Sequence, residues 1–172
     1  YEVIKQSAYD VVVCDFLNIL PDEKDNFTVQ LQEMTVSGRT VLEHLKNEKS
    51  YGVWTIVWNK IYKTDWIKSL DVRFPDGNRY EDACYLYCLC MHINRIGFTN
   101  KPYVHYVQQK SSITHTNNHQ VKNMISVFEI ILDYYKKHNK YEEYHDALEY
   151  IHIKFFLGNS FLRSARIADK KD

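Results

Sequence analysis

Val72-Arg73-Phe74-Pro75-Asp76-Gly77-Asn78-Arg79-Tyr80-Glu81-Asp82-Ala83 is the stretch on which the reading of this chain turns. Pro75 fixes its φ and Gly77 tolerates a positive one, so a turn belongs there, preceded by a short strand at Arg73. Glu81 and Asp82 then open a helix whose apolar positions are Ala83, Leu86, Leu89, Cys90 and Ile93. Two acids in a first turn meet the positive end of the helix dipole. A loop feeding a helix also holds its side chains on a rigid element, where they can line a cleft.

Working outward, Val11-Val12-Val13-Cys14-Asp15-Phe16 is a β-branched run that predicts a buried strand. Phe27, Val29 and Leu31 alternate with polar residues, which predicts a second strand with one wet face after a Pro21–Asn26 turn. Ser37 is placed to cap a helix through Val41, Leu42 and Leu45. Trp54, Val57, Trp58 and Ile61 fall at helical spacing, and Trp66, Ile67 and Leu70 predict another short helix. Pro102 to Val107 reads as a strand and Ser112 to Asn118 as a loop. Val121, Met124, Ile125, Phe128, Leu132 and Tyr135 form an amphipathic stripe, His138-Asn139-Lys140 breaks it, and Tyr144, Ala147, Leu148, Ile151 and Phe155 form another. The expected fold class is therefore α/β: short strands, several helices and a terminal helical hairpin that Gly158 ends or bends. The expected organisation is one unit over residues 1–116 and a helical extension over residues 117–172 packed on it.

The 172 residues carry 22 Lys plus Arg and 22 Asp plus Glu, so no net charge draws the chain to nucleic acid. No apolar run approaches the roughly 18 residues of a membrane helix. Five glycines and the absence of a glycine-rich motif exclude a phosphate-cradling loop. Cys14, Cys84, Cys88 and Cys90 lack zinc-ribbon spacing and read as reduced, core-packing thiols in a cytoplasmic setting. The chain begins at Tyr1 without Met or a cleavable leader, which reads as an excised piece of a longer protein. His115 and His119 are four apart, but no strong third ligand accompanies them, so no metal ligand is assigned.

From pattern alone, Glu81-Asp82 admits two readings: a carboxylate placed to take a proton from a hydroxyl nucleophile, or two acids that improve a helix terminus. Lys60 and Lys63 likewise either face a phosphate or form solvated ends of an aromatic-rich helix.

Trp58-Asn59-Lys60-Ile61-Tyr62-Lys63, then Val72 through Asp82, then Tyr106, then Ser112-Ile113-Thr114 occur in this order. The series resembles the C-terminal half of bacterial family 2 glycosyltransferases of the GT-A type, which build capsular, cell-wall and exopolysaccharides. The resemblance runs from about Tyr9 to Thr116. It implies the acceptor-side portion of a nucleotide-diphospho-sugar transferase fold. The family's Asp-x-Asp or Asp-Asp motif, which holds Mg²⁺ or Mn²⁺ against the sugar diphosphate, does not occur here. The resemblance thus implies that the cofactor belongs to a full-length parent and none to this portion.

By the same resemblance, Asp82 is the general base for an inverting transfer and Glu81 orients it or the acceptor. Trp58, Asn59 and Lys60 line the cleft, with Lys60 stabilising phosphate charge on the leaving group. Arg79, Tyr80, Lys110, Ser112 and Thr114 complete the donor or acceptor cleft. Tyr106-Val107-Gln108-Gln109-Lys110-Ser111-Ser112-Ile113-Thr114 departs from the family's Tyr-Arg-x-Arg and Gly-Ser-Ile, which leaves the donor-phosphate contacts of this loop open. The implied partners are a nucleotide-sugar donor and a saccharide or lipid-linked acceptor, with peripheral contact at the inner face of the plasma membrane and no nucleic acid. The rival reading is a noncatalytic helical module that binds a partner or a membrane surface, suggested by Tyr134 to Tyr150 and by Arg163, Arg166, Lys170 and Lys171.

Overall fold

The computed structural model describes residues 8–20, 27–28, 30–45, 54–77, 79–108 and 123–161. The expected Pro21–Asn26 turn, the Ser112–Asn118 loop, the His115/His119 pair and the basic C-terminal residues lie outside them.

The architecture is mixed α/β. β1 (Val11–Ile19) is the central strand. Its β-branched first half buries Val11 and Val13 completely, as a strand covered on its inner face should. One edge pairs in parallel with β5 (Ile96–Val107). The other edge pairs antiparallel with two short strands, β4 (Lys60–Tyr62) at Val11–Val13 and β2 (Phe27–Thr28) at Leu17–Asn18. β3 (Met34–Val36) lies antiparallel on the far side of β5 and completes the five-stranded sheet.

β5 does not run evenly beside β1. Cys14 pairs with Thr99, Asp15 with Pro102 and Phe16 with Val104, so β5 bulges twice within this span. Bulges bend a strand and re-aim its side chains. Pro102 suits such a place because it has no amide to give to a ladder.

The helices follow the periodicity of their sequences. Ser37 caps α1 (Gly38–Glu43), its Oγ accepting from the Thr40 amide at 3.1 Å. α2 (Thr64–Ser69) is short and has no fully buried residue. α3 (Glu81–Cys90) is the core helix and buries every residue from Ala83 to Cys90 except Tyr85. α4 (Asn123–Lys137) and α5 (Tyr141–Ile153) form the expected hairpin, and α4 packs on α3 while α5 packs on α1. Asn139 takes a φ of 54° in the turn between them, a conformation Asn adopts more readily than most side chains. Beyond α5 the chain continues as a π-helical segment, Lys154–Phe161, which passes through Gly158 instead of stopping there.

All four cysteines are buried and unbridged, as core thiols should be. Among the described residues, no helix is long and apolar enough to cross a membrane.

Four local expectations are corrected. Trp54 to Ile61 is not a helix: turns lead into β4, because the edge of β1 offers Lys60–Tyr62 a backbone ladder, and the helical spacing of the aromatics reflects burial of Trp54 instead. Arg73 to Gly77 forms no strand. The Arg73 guanidinium donates to the Leu70 and Val72 carbonyls at 2.9 and 2.7 Å, and Phe74 stacks on Tyr85 with ring centres 4.1 Å apart. The strand expected from Pro102 begins six residues earlier at Ile96, where Ile96, Gly97 and Phe98 are buried between β1 and β3. The alternating run after Phe27 is a strand only at Phe27–Thr28, with Val29 outside the described residues, and β3 lies beyond it.

Candidate active site

The Glu81-Asp82 pair sits where the sequence places it, in the first turn of α3. The residue before it, Tyr80, adopts a left-handed conformation with φ 70°. For an aromatic L-residue this costs about 1–2 kcal/mol, which the packing of the helix start must offset. The strain is located at the junction that aims the two acids.

Asp82 is half-buried and its carboxylate accepts from the Val57 backbone amide. Burial pushes its pKa up, and the neighbouring charge of Glu81 adds to the shift. The Val57 hydrogen bond and the charge of Lys60 oppose it. Glu81 is exposed, while Arg79 and Tyr80 are half-buried beside it.

Lys60, at the start of β4, is the unusual cation. It is only 9 % exposed. Its Nζ donates to the Ile56 carbonyl and, at 2.8 Å, to Asn59 Oδ1, and it stands 5.0 Å from the centre of the buried Trp54 ring. Desolvation lowers its pKa to about 7, against the attraction of Cys90, Asp82 and Cys14 in their anionic forms. Burial thus moves Lys60 and Asp82 toward their neutral forms from opposite sides. Perturbed groups of this kind cluster at functional sites, which marks Lys60 and Asp82 as candidates.

Asn59 ties this segment to the central strand. Its Nδ2 donates to the Cys14 carbonyl at 3.0 Å, and the Cys14 amide donates to the Asn59 carbonyl at 2.9 Å. Trp58 next to it is 38 % exposed, stacked on Tyr106 at 4.9 Å, with Phe16 edge-on at 4.8 Å. The three rings come from the β4 approach, β5 and β1, and form one aromatic shelf.

That shelf borders a cleft of about 860 Å³. Trp58, Asn59 and Lys60 form one wall, and Val12 and Cys14 of β1 lie on another side. The bulged part of β5 contributes Thr99, Lys101, Tyr103 and Val104. The volume is in the range of small-molecule sites. Alternation alone puts Thr99, Lys101 and Tyr103 on one face, but nothing in the sequence showed that Val104 would join them through the bulges or that this face would line a cleft. The alternation of Val12 and Cys14 along β1 was the available signal for that side of the cleft.

The structure therefore brings Trp58, Asn59 and Lys60 together on the cleft. The charge of Asp82 acts on Lys60, but Arg79, Tyr80, Glu81 and Asp82 are not among the cleft walls. The Tyr62 hydroxyl on β4 is buried with no hydrogen-bond partner among the described residues. Burial, with Tyr85 and Asp82 nearby, raises its pKa well above the usual range. Lys110, Ser112 and Thr114 lie outside the described residues.

Neither the protein-family models nor the curated proteins contain a match to this chain.

Proposed function

We propose that this chain is the acceptor-side portion of an inverting glycosyltransferase of the GT-A type. It would serve the transfer of a sugar from a nucleotide-diphosphate donor to a glycan or lipid-linked acceptor hydroxyl in cell-surface polysaccharide synthesis. The observation that carries the reading is Asp82. It is a carboxylate raised by burial, held by the Val57 amide at the start of α3, with Lys60 acting on it from the cleft wall.

Asp82 takes the proton of the acceptor hydroxyl as that oxygen attacks the anomeric carbon. Glu81 raises the basicity of Asp82 by its adjacent charge. The Trp58 shelf supplies an apolar surface for a sugar face, its remaining exposure opening on the cleft. Mg²⁺ or Mn²⁺, with the donor diphosphate, belongs to a segment outside this sequence, since the acidic motif of the family is absent from it.

The test is made in the longest natural protein that contains this chain. Asp82→Asn should fold and bind donor normally while turnover falls by roughly 10²- to 10⁴-fold, the usual worth of a general base. Turnover within a factor of about two of the parent would defeat the assignment. Residues 1–172 by themselves should show neither transferase activity nor tight, metal-dependent donor binding, and micromolar donor affinity would contradict the division of labour.

A second reading, a helical module for a partner or membrane surface, is favoured by Ile125, Ile153, Phe156 and Leu157, which are exposed where the α4–α5 hairpin meets the π-helical segment. Co-sedimentation with vesicles of anionic lipid tests it: binding that is lost in a Phe156→Ser, Leu157→Ser variant supports the module, an empty pellet refutes it, and weak membrane contact fits a lipid-linked acceptor as well.

A further inference from the structure

Asp71, His92 and His138 come from three separate places: the segment after α2, the turn after α3 and the turn after α4. Their ligand atoms all lie within 4.8 Å of one another. Asp82 is at the other end of α3, roughly 15 Å from His92 along a ten-residue helix, so the cluster is independent of the proposed active site.

Two features distinguish the cluster from an ordinary hydrogen-bonded junction. His138 Nε2 is buried and makes no hydrogen bond among the described residues, although it faces Asp71 Oδ1 at 3.3 Å. That separation is close to the edge of a tetrahedron whose ligand bonds are about 2.0–2.1 Å. The second feature is a shared oxygen. The Tyr134 hydroxyl donates to the same Asp71 Oδ1 at 2.7 Å and lies 2.8 Å from His92 Nε2. Both imidazoles thus converge on one carboxylate oxygen, one through the tyrosine hydroxyl. The other oxygen, Oδ2, is taken by Lys137 Nζ at 2.5 Å.

We propose that Asp71, His92 and His138 form a Zn²⁺ site that fastens α4 to α3 and to the segment after α2. Two imidazoles and one carboxylate are a known zinc donor set, with the fourth position left to water. Binding requires His92 Nε2 to exchange its contact with the Tyr134 hydroxyl for the metal. Tyr134 then keeps its bond to Asp71 and, with Lys137, orients the carboxylate from outside the coordination sphere. Imidazole donors select Zn²⁺ over Mg²⁺, which favours oxygen ligands. Lys137 opposes a cation at this place, so the affinity should be well short of that of an all-cysteine structural site.

The experiment titrates the metal-stripped chain with Zn²⁺ alone, by calorimetry and by thermal unfolding with and without chelator. The proposal expects one Zn²⁺ per chain, a Tm that rises with Zn²⁺ and not with Mg²⁺, and affinity roughly tenfold or more weaker in His138→Asn. Asp71→Asn at the exposed carboxylate is measured alongside His138→Asn, with circular dichroism as the check on folding of both. Co²⁺ substitution should give visible bands without the near-ultraviolet thiolate charge-transfer band. Absence of saturable Zn²⁺ binding overturns the proposal. So does binding that survives His138→Asn and Asp71→Asn, or that disappears instead in a His115→Asn, His119→Asn variant, or that shows the thiolate band.

Discussion

Replacing Lys60 with Met tests whether this cation is truly held in the protein interior. Its pKa of about 7 in the fold stands against 10.5 in the unfolded chain. Between those values the unfolded state holds more protons than the native state, so stability rises with pH across the window. Below about pH 7 both states are protonated and the full penalty applies. Worked through the linkage relation, burying this ammonium costs about 4 kcal/mol at pH 7 and about 2 kcal/mol at pH 9. Lys60→Met removes this pH-dependent cost and introduces a constant one, from the hydrogen bonds lost to the Ile56 carbonyl and Asn59 Oδ1. The constant part cancels when two pH values are compared, as do the cysteines common to both proteins. Urea unfolding followed by Trp fluorescence, at pH 7 and pH 9, should therefore find wild type gaining about 2 kcal/mol on the variant as pH rises. A difference between the two proteins that does not change with pH would mean that Lys60 titrates as an ordinary surface lysine. The account of its burial against Trp54, and of its action on Asp82, would fall with it.

Two further substitutions probe the scaffold. Gly38→Ala should destabilise by about 1–3 kcal/mol, because a Cβ at Gly38 would sit 2.1 Å from the Cys90 carbonyl oxygen, where α1 starts against the end of α3. Thermal unfolding checks it, and a neutral result would show that the two helices can part freely. Ser37→Ala should cost about 1 kcal/mol by removing the side-chain acceptor for the Thr40 amide, with Ser37→Gly costing only a few tenths. Chemical denaturation of the pair separates the cap from a general loss of packing.

Much of this molecule was legible in its sequence because the signals are local. The β-branched run at Val11–Val13 is a buried strand, Ser37 caps a helix, Glu81-Asp82 opens one, and the two apolar stripes after Asn123 form a hairpin. Helical period, capping chemistry and turn residues act over a few neighbours, so a window of sequence carries them. The rest depended on partners far along the chain. Trp54, Val57, Trp58 and Ile61 have helical spacing, yet Lys60–Tyr62 becomes a strand because β1 presents an edge to it. Ile96–Phe98 is a strand only because β1 and β3 flank it.

The candidate site divides along the same line. Asp82, Trp58, Asn59 and Lys60 could be named from sequence, since residue type and order bear on them directly. That Lys60 turns inward over Trp54, and that bulges bring Val104 beside Thr99, Lys101 and Tyr103 on one cleft, came from the register of β5 against β1 and from burial. Asp71, His92 and His138 are separated by 21 and 46 positions in the sequence. No spacing rule joins them, and only the packing of α4 on α3 brings their ligand atoms together. Sequence alone determined the locally encoded elements, β1, α1, α3 and the α4–α5 hairpin, and the chemistry available on them. Tertiary structure decided which groups lose water and which meet, because desolvation and donor geometry are set by the whole surround and not by neighbours along the chain.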